Sequence, residues 1–121
     1  MKTIFHPFNA AKEFATVERC FITEIENDAE NPELSVARAR VEPGETTAWH
    51  KLTRTTERYL MISGTGLMEV EGVEPVDVTC GDVVCIPAGK SQRIINTGNE
   101  DLVFFAVCTP RFTPECYIGL E

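Results

Sequence analysis

Two stretches decide the fold of this chain: GETTAWHKLTRTTERYLMISG, residues 44–64, and GDVVCIPAGKSQRIIN, residues 81–96. Each begins and ends on a turn former and holds short runs rich in β-branched and aromatic residues between. In an extended strand, alternate side chains share a face. His50 and Leu52 therefore point the same way, as do Glu57, Tyr59 and Met61. Gly44, Gly64, Gly81 and Gly89 supply the tight turns that bring neighbouring strands together.

Outward from these stretches the same punctuation recurs. β-rich runs cover Val17 to Glu26, Leu34 to Val41, Ala48 to Leu52, Glu57 to Ser63, Leu67 to Glu71, Val76 to Thr79, Val83 to Pro87, Arg93 to Asn96 and Leu102 to Thr109. Gly, Pro, Asn and Asp stand between them at the spacing of an all-β sandwich or barrel. Only Asn9 to Ala15 reads as a helical turn, capped by Asn9. The pattern predicts one antiparallel all-β domain over residues 1–121, closed so that few strand edges stay exposed.

Bulk composition narrows the function. Eleven basic and nineteen acidic side chains give a net charge of −8. That field repels phosphate backbones and no Lys/Arg cluster interrupts it, so nucleic acid is not an expected partner. No apolar run reaches the ~20 residues a bilayer requires, and Met1 to Phe14 lacks the features of a signal peptide. The expectation is a cytoplasmic protein with no membrane partner. Cys20, Cys80, Cys85, Cys108 and Cys116 are scattered without a Cys-x-x-Cys pair, which predicts buried free thiols rather than disulfides or a zinc knuckle.

From Gly44 the chain counts five residues to His50, one to Leu52, four to Glu57 and six to Gly64. From Gly81 it counts five to Pro87, one to Gly89, two to Gln92 and three to Asn96. These strings, at 44–64 and 81–96, resemble the two signature motifs of the cupin family. The 16 residues between Gly64 and Gly81 suit that family's short intermotif strand pair. The resemblance spans Val36 to Thr109 and implies a double-stranded β-helix, or jelly-roll, barrel. It also implies that inward positions of both motifs hold one divalent metal, here through His50, Glu57 and Gln92. Leu52 stands where the family has its second histidine and Gln92 where it has its third. The remaining nitrogen and oxygen donors suit Mn, Fe, Co, Ni or Zn, and the set is a weak one. The alternative is a polar, metal-free interior in which His50 donates to Glu57.

Leu52, Tyr59 and Met61 are expected to line a pocket for a small molecule. With Glu57 and His50 as catalytic residues, the expected activity is isomerase-like or cyclase-like acid–base chemistry assisted by the metal. A non-catalytic, metal-free ligand-binding cupin is the other reading. Arg54 and Arg58 read as a solvated loop pair, and Arg93 should face outward. The tail, residues 109–121, reads as a strap on the barrel's outside; a lid bringing Arg111 or Tyr117 to the pocket is its alternative. Apolar residues at both ends (Ile4, Phe5, Phe8, Phe14, Phe112, Tyr117, Ile118, Leu120) predict a homodimer.

Overall fold

The computed structural model describes residues 2–121. The strands are β1 Phe14–Ala15, β2 Phe21–Glu26, β3 Ser35–Val41, β4 His50–Leu52, β5 Thr56–Ser63, β6 Thr65–Val70, β7 Val76–Thr79, β8 Val83–Ile86, β9 Gln92–Asn96, β10 Leu102–Thr109 and β11 Tyr117–Gly119. They form a six-stranded sheet, β1-β2-β3-β10-β5-β8, and a five-stranded sheet, β11-β4-β9-β6-β7. Every pairing is antiparallel.

The chain crosses repeatedly between the sheets, so inward residues of both share one core. Val41, Met61, Met68, Ile86, Ile94, Leu102 and Phe104 are buried together. Removing such side chains from water stabilises the fold by about 1.5–3 kcal/mol each. Alternation along β5 shows the sorting: Glu57, Tyr59 and Met61 are buried while Arg58, Leu60 and Ile62 are exposed. Gly64 makes the β5–β6 turn at φ +86, where an added Cβ would lie 2.7 Å from the Asp101 carbonyl oxygen. Asn96, at the end of the second motif, closes the β9 turn with its side chain. Its Nδ2 donates to the Val41 and Glu100 carbonyls at 2.9 and 2.8 Å, and its Oδ1 accepts from the Gly98 N–H at 2.9 Å. The motif asparagine thus serves the backbone rather than the pocket.

The N-terminal arm covers the outer face of β2 and β3. Its one 3-10 turn, Ala10–Lys12, is capped by Asn9, whose Oδ1 accepts from Ala11 N–H. Glu13 then pairs with Arg40 at 2.7 Å and Arg38 at 3.6 Å, while Phe8 packs under the Arg38 guanidinium.

Three expectations change. The strand expected from Val17 begins at Phe21, because Arg19 adopts φ 67 and Glu18 N–H donates to the Thr16 hydroxyl in a turn. Cys20, Cys108 and Cys116 are buried, but Cys80 and Cys85 are exposed. Cys80 lies in the β7–β8 turn and Cys85 on the outward side of edge strand β8. The tail is no external strap: after a 3-10 turn at Pro114–Cys116 it becomes β11 and pairs with β4, Tyr117 opposite Leu52.

Candidate functional site

The fold brings the two motifs together across the barrel. β4 and β9 are neighbours, with His50 directly opposite Gln92. β5 belongs to the other sheet, where Glu57 lies opposite Cys108 on β10. The sheets are bridged by a buried hydrogen-bond chain. Tyr59 donates its hydroxyl to Gln92 Oε1 at 2.7 Å, and Gln92 Nε2 donates to Glu57 Oε1 at 2.8 Å. The second Glu57 oxygen has the Cys108 thiol at 3.7 Å. Phe104 stacks on the Tyr59 ring at 4.2 Å and fixes the start of the chain.

His50 is held from the opposite side. Its Nδ1 lies 2.9 Å from the Ala48 carbonyl oxygen and 3.1 Å from a Glu18 carboxylate oxygen. A carbonyl oxygen only accepts, so Nδ1 carries the hydrogen and Nε2 keeps its lone pair in the neutral ring. Tyr117 stacks on the imidazole, centroids 5.3 Å apart.

A cavity of about 50 Å³ is lined by His50, Glu57, Glu18, Leu52 and Tyr59. Glu18, Ile22, Glu57, Ala106, Phe112 and Tyr117 line both it and a larger cavity of about 330 Å³, which is otherwise mostly apolar. Desolvation sets the electrostatics. Burial pushes the Glu57 carboxyl above its usual range, against the opposing pull of His50 and Gln92. Burial raises Glu18 likewise, with His50 opposing. The Cys20 thiol is pushed up to about 11 by burial and stays protonated at neutral pH.

His50, Glu57 and Gln92 therefore meet inside the barrel, and Leu52 and Tyr59 line the small cavity. Met61 sits in the apolar core with Ile86 and Ile94 and lines neither cavity. Arg54 and Arg58 are exposed. Arg93 faces away from the pocket, paired with Glu69 at 3.0 Å and lying over Trp49. Arg111 donates to Asn27 Oδ1 at 2.9 Å and lines neither cavity. The motif spacings do not reveal Glu18 and Tyr117. The first reaches His50 through the turn at Arg19. The second arrives on a strand whose partner is distant in sequence, Tyr117 against Leu52.

The donor set does not fit a divalent metal. Gln92 turns its hydrogen-bearing nitrogen toward Glu57, and its oxygen already accepts from Tyr59. The alternative amide orientation would set its oxygen against the carboxylate. Glu57 and His50 Nε2 remain, one donor short of the three protein ligands of an open catalytic zinc site. Among the described residues no three His, Cys, Asp or Glu side chains converge on one point.

Comparison with known proteins agrees with this architecture. Residues 37–108 match the cupin domain family. A 71-residue stretch is 38% identical to an oxalate-binding protein of Thermotoga maritima, covering 59% of this chain and 58% of that relative. A predicted oxalate decarboxylase of the same organism superposes with a TM-score of 0.71 at 27% identity, over 81% of this chain and 90% of the other. The Streptomyces nucleoside dehydratase Pac13 gives a TM-score of 0.77 at 16% identity, over 100% and 92%, a likeness of fold alone. With both motifs at their places in a double-stranded β-helix, the chain belongs to the cupin family.

Proposed function

We propose that this cupin binds a small organic molecule in the barrel and moves a proton on it without a divalent metal. The observation that carries the reading is the fixing of His50. Ala48 and Glu18 hold Nδ1–H, which leaves the Nε2 lone pair for a ligand in the cavity shared with Glu57. In this reading His50 is the base, accepting a proton at Nε2, and Glu18 stabilises the imidazolium that forms. Glu57, raised by burial, returns a proton to another atom of the ligand, which is the economy of an isomerase or cyclase. The Tyr59–Gln92 chain fixes the Glu57 carboxylate and keeps its orientation when the ligand enters. The cavity of about 330 Å³ supports a small-molecule site, at the lower end of the usual range of ~300–1,000 Å³.

The test is a fragment screen by ligand-observed NMR on the wild type and on His50→Gln and Glu57→Gln variants. Fragments that bind the wild type are expected to lose about tenfold or more in affinity in His50→Gln. Equal binding by all three proteins would overturn the assignment. Ligands that bind without any proton exchange would leave a non-catalytic binding module instead.

We also propose pairing of two copies through the chain ends. Ile4, Phe5, Phe8, Phe14, Ile118 and Leu120 are exposed, whereas Phe112 and Tyr117 pack against the barrel. Light scattering at tens of micromolar should give twice the 13.5 kDa chain mass, and a monomeric mass would refute it.

A further inference from the structure

The walls of the two cavities carry a bias of charge. The ionisable groups facing them are the carboxyls of Glu18, Glu24 and Glu57 and the imidazole of His50, together with weakly acidic thiols and phenols. No lysine or arginine lines either cavity among the described residues. No permanently charged cation stands there to pair an anionic ligand, and each ionised carboxylate in the wall repels one. His50 leaves one ring nitrogen open beside the small cavity. It is 4% exposed and its Nδ1 is engaged, yet Nε2 forms no hydrogen bond among the described residues.

We propose that the barrel takes an organic cation, an ammonium group on a small apolar body, with the charge held by Glu18 and Glu24 and the body reaching toward His50 and Glu57. The inference rests on the barrel cavity being the ligand site. Glu24 lies on β2 at the wall of the larger cavity, and no basic side chain among the described residues pairs with it. Phe14, Phe112 and Tyr117 line the same space, and aromatic rings attract cations. The apolar remainder of the wall suits a hydrocarbon body and gives no anchor for a second charge. The net charge of −8 draws a cation toward the protein and repels a small dicarboxylate. The binding named for the Thermotoga maritima relative, that of oxalate, would on this reasoning not extend to this chain.

The test uses probes of one shape and three charges: benzylamine, benzyl alcohol and benzoate, with oxalate as a fourth. Each is titrated near neutral pH while the ring signals of His50 and Tyr117 are followed by NMR. Benzylamine is expected to bind about tenfold or more tightly than benzyl alcohol, with benzoate and oxalate silent. Glu24→Gln should lower benzylamine affinity severalfold and leave benzyl alcohol unchanged. Glu24 is exposed, so the variant should fold normally. Equal binding of amine and alcohol, or tighter binding of benzoate or oxalate, at the same two rings would overturn the charge class while keeping the site. Silence of all four at His50 and Tyr117 would overturn the site itself and the proposal with it.

Discussion

Replacing Phe104 with alanine is expected to lower the free energy of unfolding by about 3–5 kcal/mol. The ring is 2% exposed, stacks on Tyr59 at 4.2 Å and fills the barrel between the sheets. Its loss removes transfer energy and leaves a cavity that two hydrogen-bonded sheets cannot close. Tyr59 would also lose the surface that aims its hydroxyl at Gln92. Urea denaturation measures the effect, and a change below about 1 kcal/mol would show that the barrel interior is looser than these contacts imply.

The second large effect is expected at Gln92→Leu. The leucine fills similar space but strips Glu57 of its amide donor and Tyr59 of its acceptor. Each orphaned buried group costs about 1–3 kcal/mol. The loss should also depend on pH, and its sign follows from burial. The folded pKa values of Glu18 and Glu57 are raised, so the folded state binds protons more tightly there than the unfolded chain. Their contribution to stability is then greatest below the ordinary value of 4.5 and declines as pH rises through the folded values. The Gln92 hydrogen bond lowers the Glu57 pKa, so losing it pushes Glu57 higher still. The deficit of Gln92→Leu should therefore grow from acid to neutral pH. Glu13 acts in the opposite sense. Arg40 holds it below 4.5, so its contribution is lost as pH falls through its folded value. A deficit that shrinks with rising pH would contradict the placement of a desolvated carboxyl at Glu57.

The fold was legible because backbone requirements are written in residue type. Gly44, Gly64, Gly81 and Gly89 all adopt positive φ, and Asn96 closes its turn through its own amide. The convergence of His50, Glu57 and Gln92 follows from those turns, since they fix which strands become neighbours. The chemistry was less legible. Whether Gln92 serves as a metal ligand or as a link depends on which end of its amide meets Glu57, whose carboxylate accepts the Nε2 hydrogen and leaves the oxygen to Tyr59. Glu18 belongs to an alternating run that extrapolates as strand. Only the left-handed turn at Arg19 swings it under His50, and nothing in the local pattern marks arginine for that conformation. Tyr117 reaches the ring on β11, which pairs with β4 and is followed by Glu121, whose carboxylate accepts from Arg19 and the Trp49 N–H. Such long-range pairings leave no periodicity to read.

The claim that His50 is a metal-free base is tested most directly by the nitrogen resonances of its ring. In protein labelled with 15N-histidine, with His6→Asn to isolate the signal, the neutral His50 ring should carry its hydrogen on Nδ1 and show a lone pair at Nε2. Equimolar zinc should leave both resonances in place. A hydrogen on Nε2, or an Nε2 resonance moved to the metal-bound position by zinc, would contradict it.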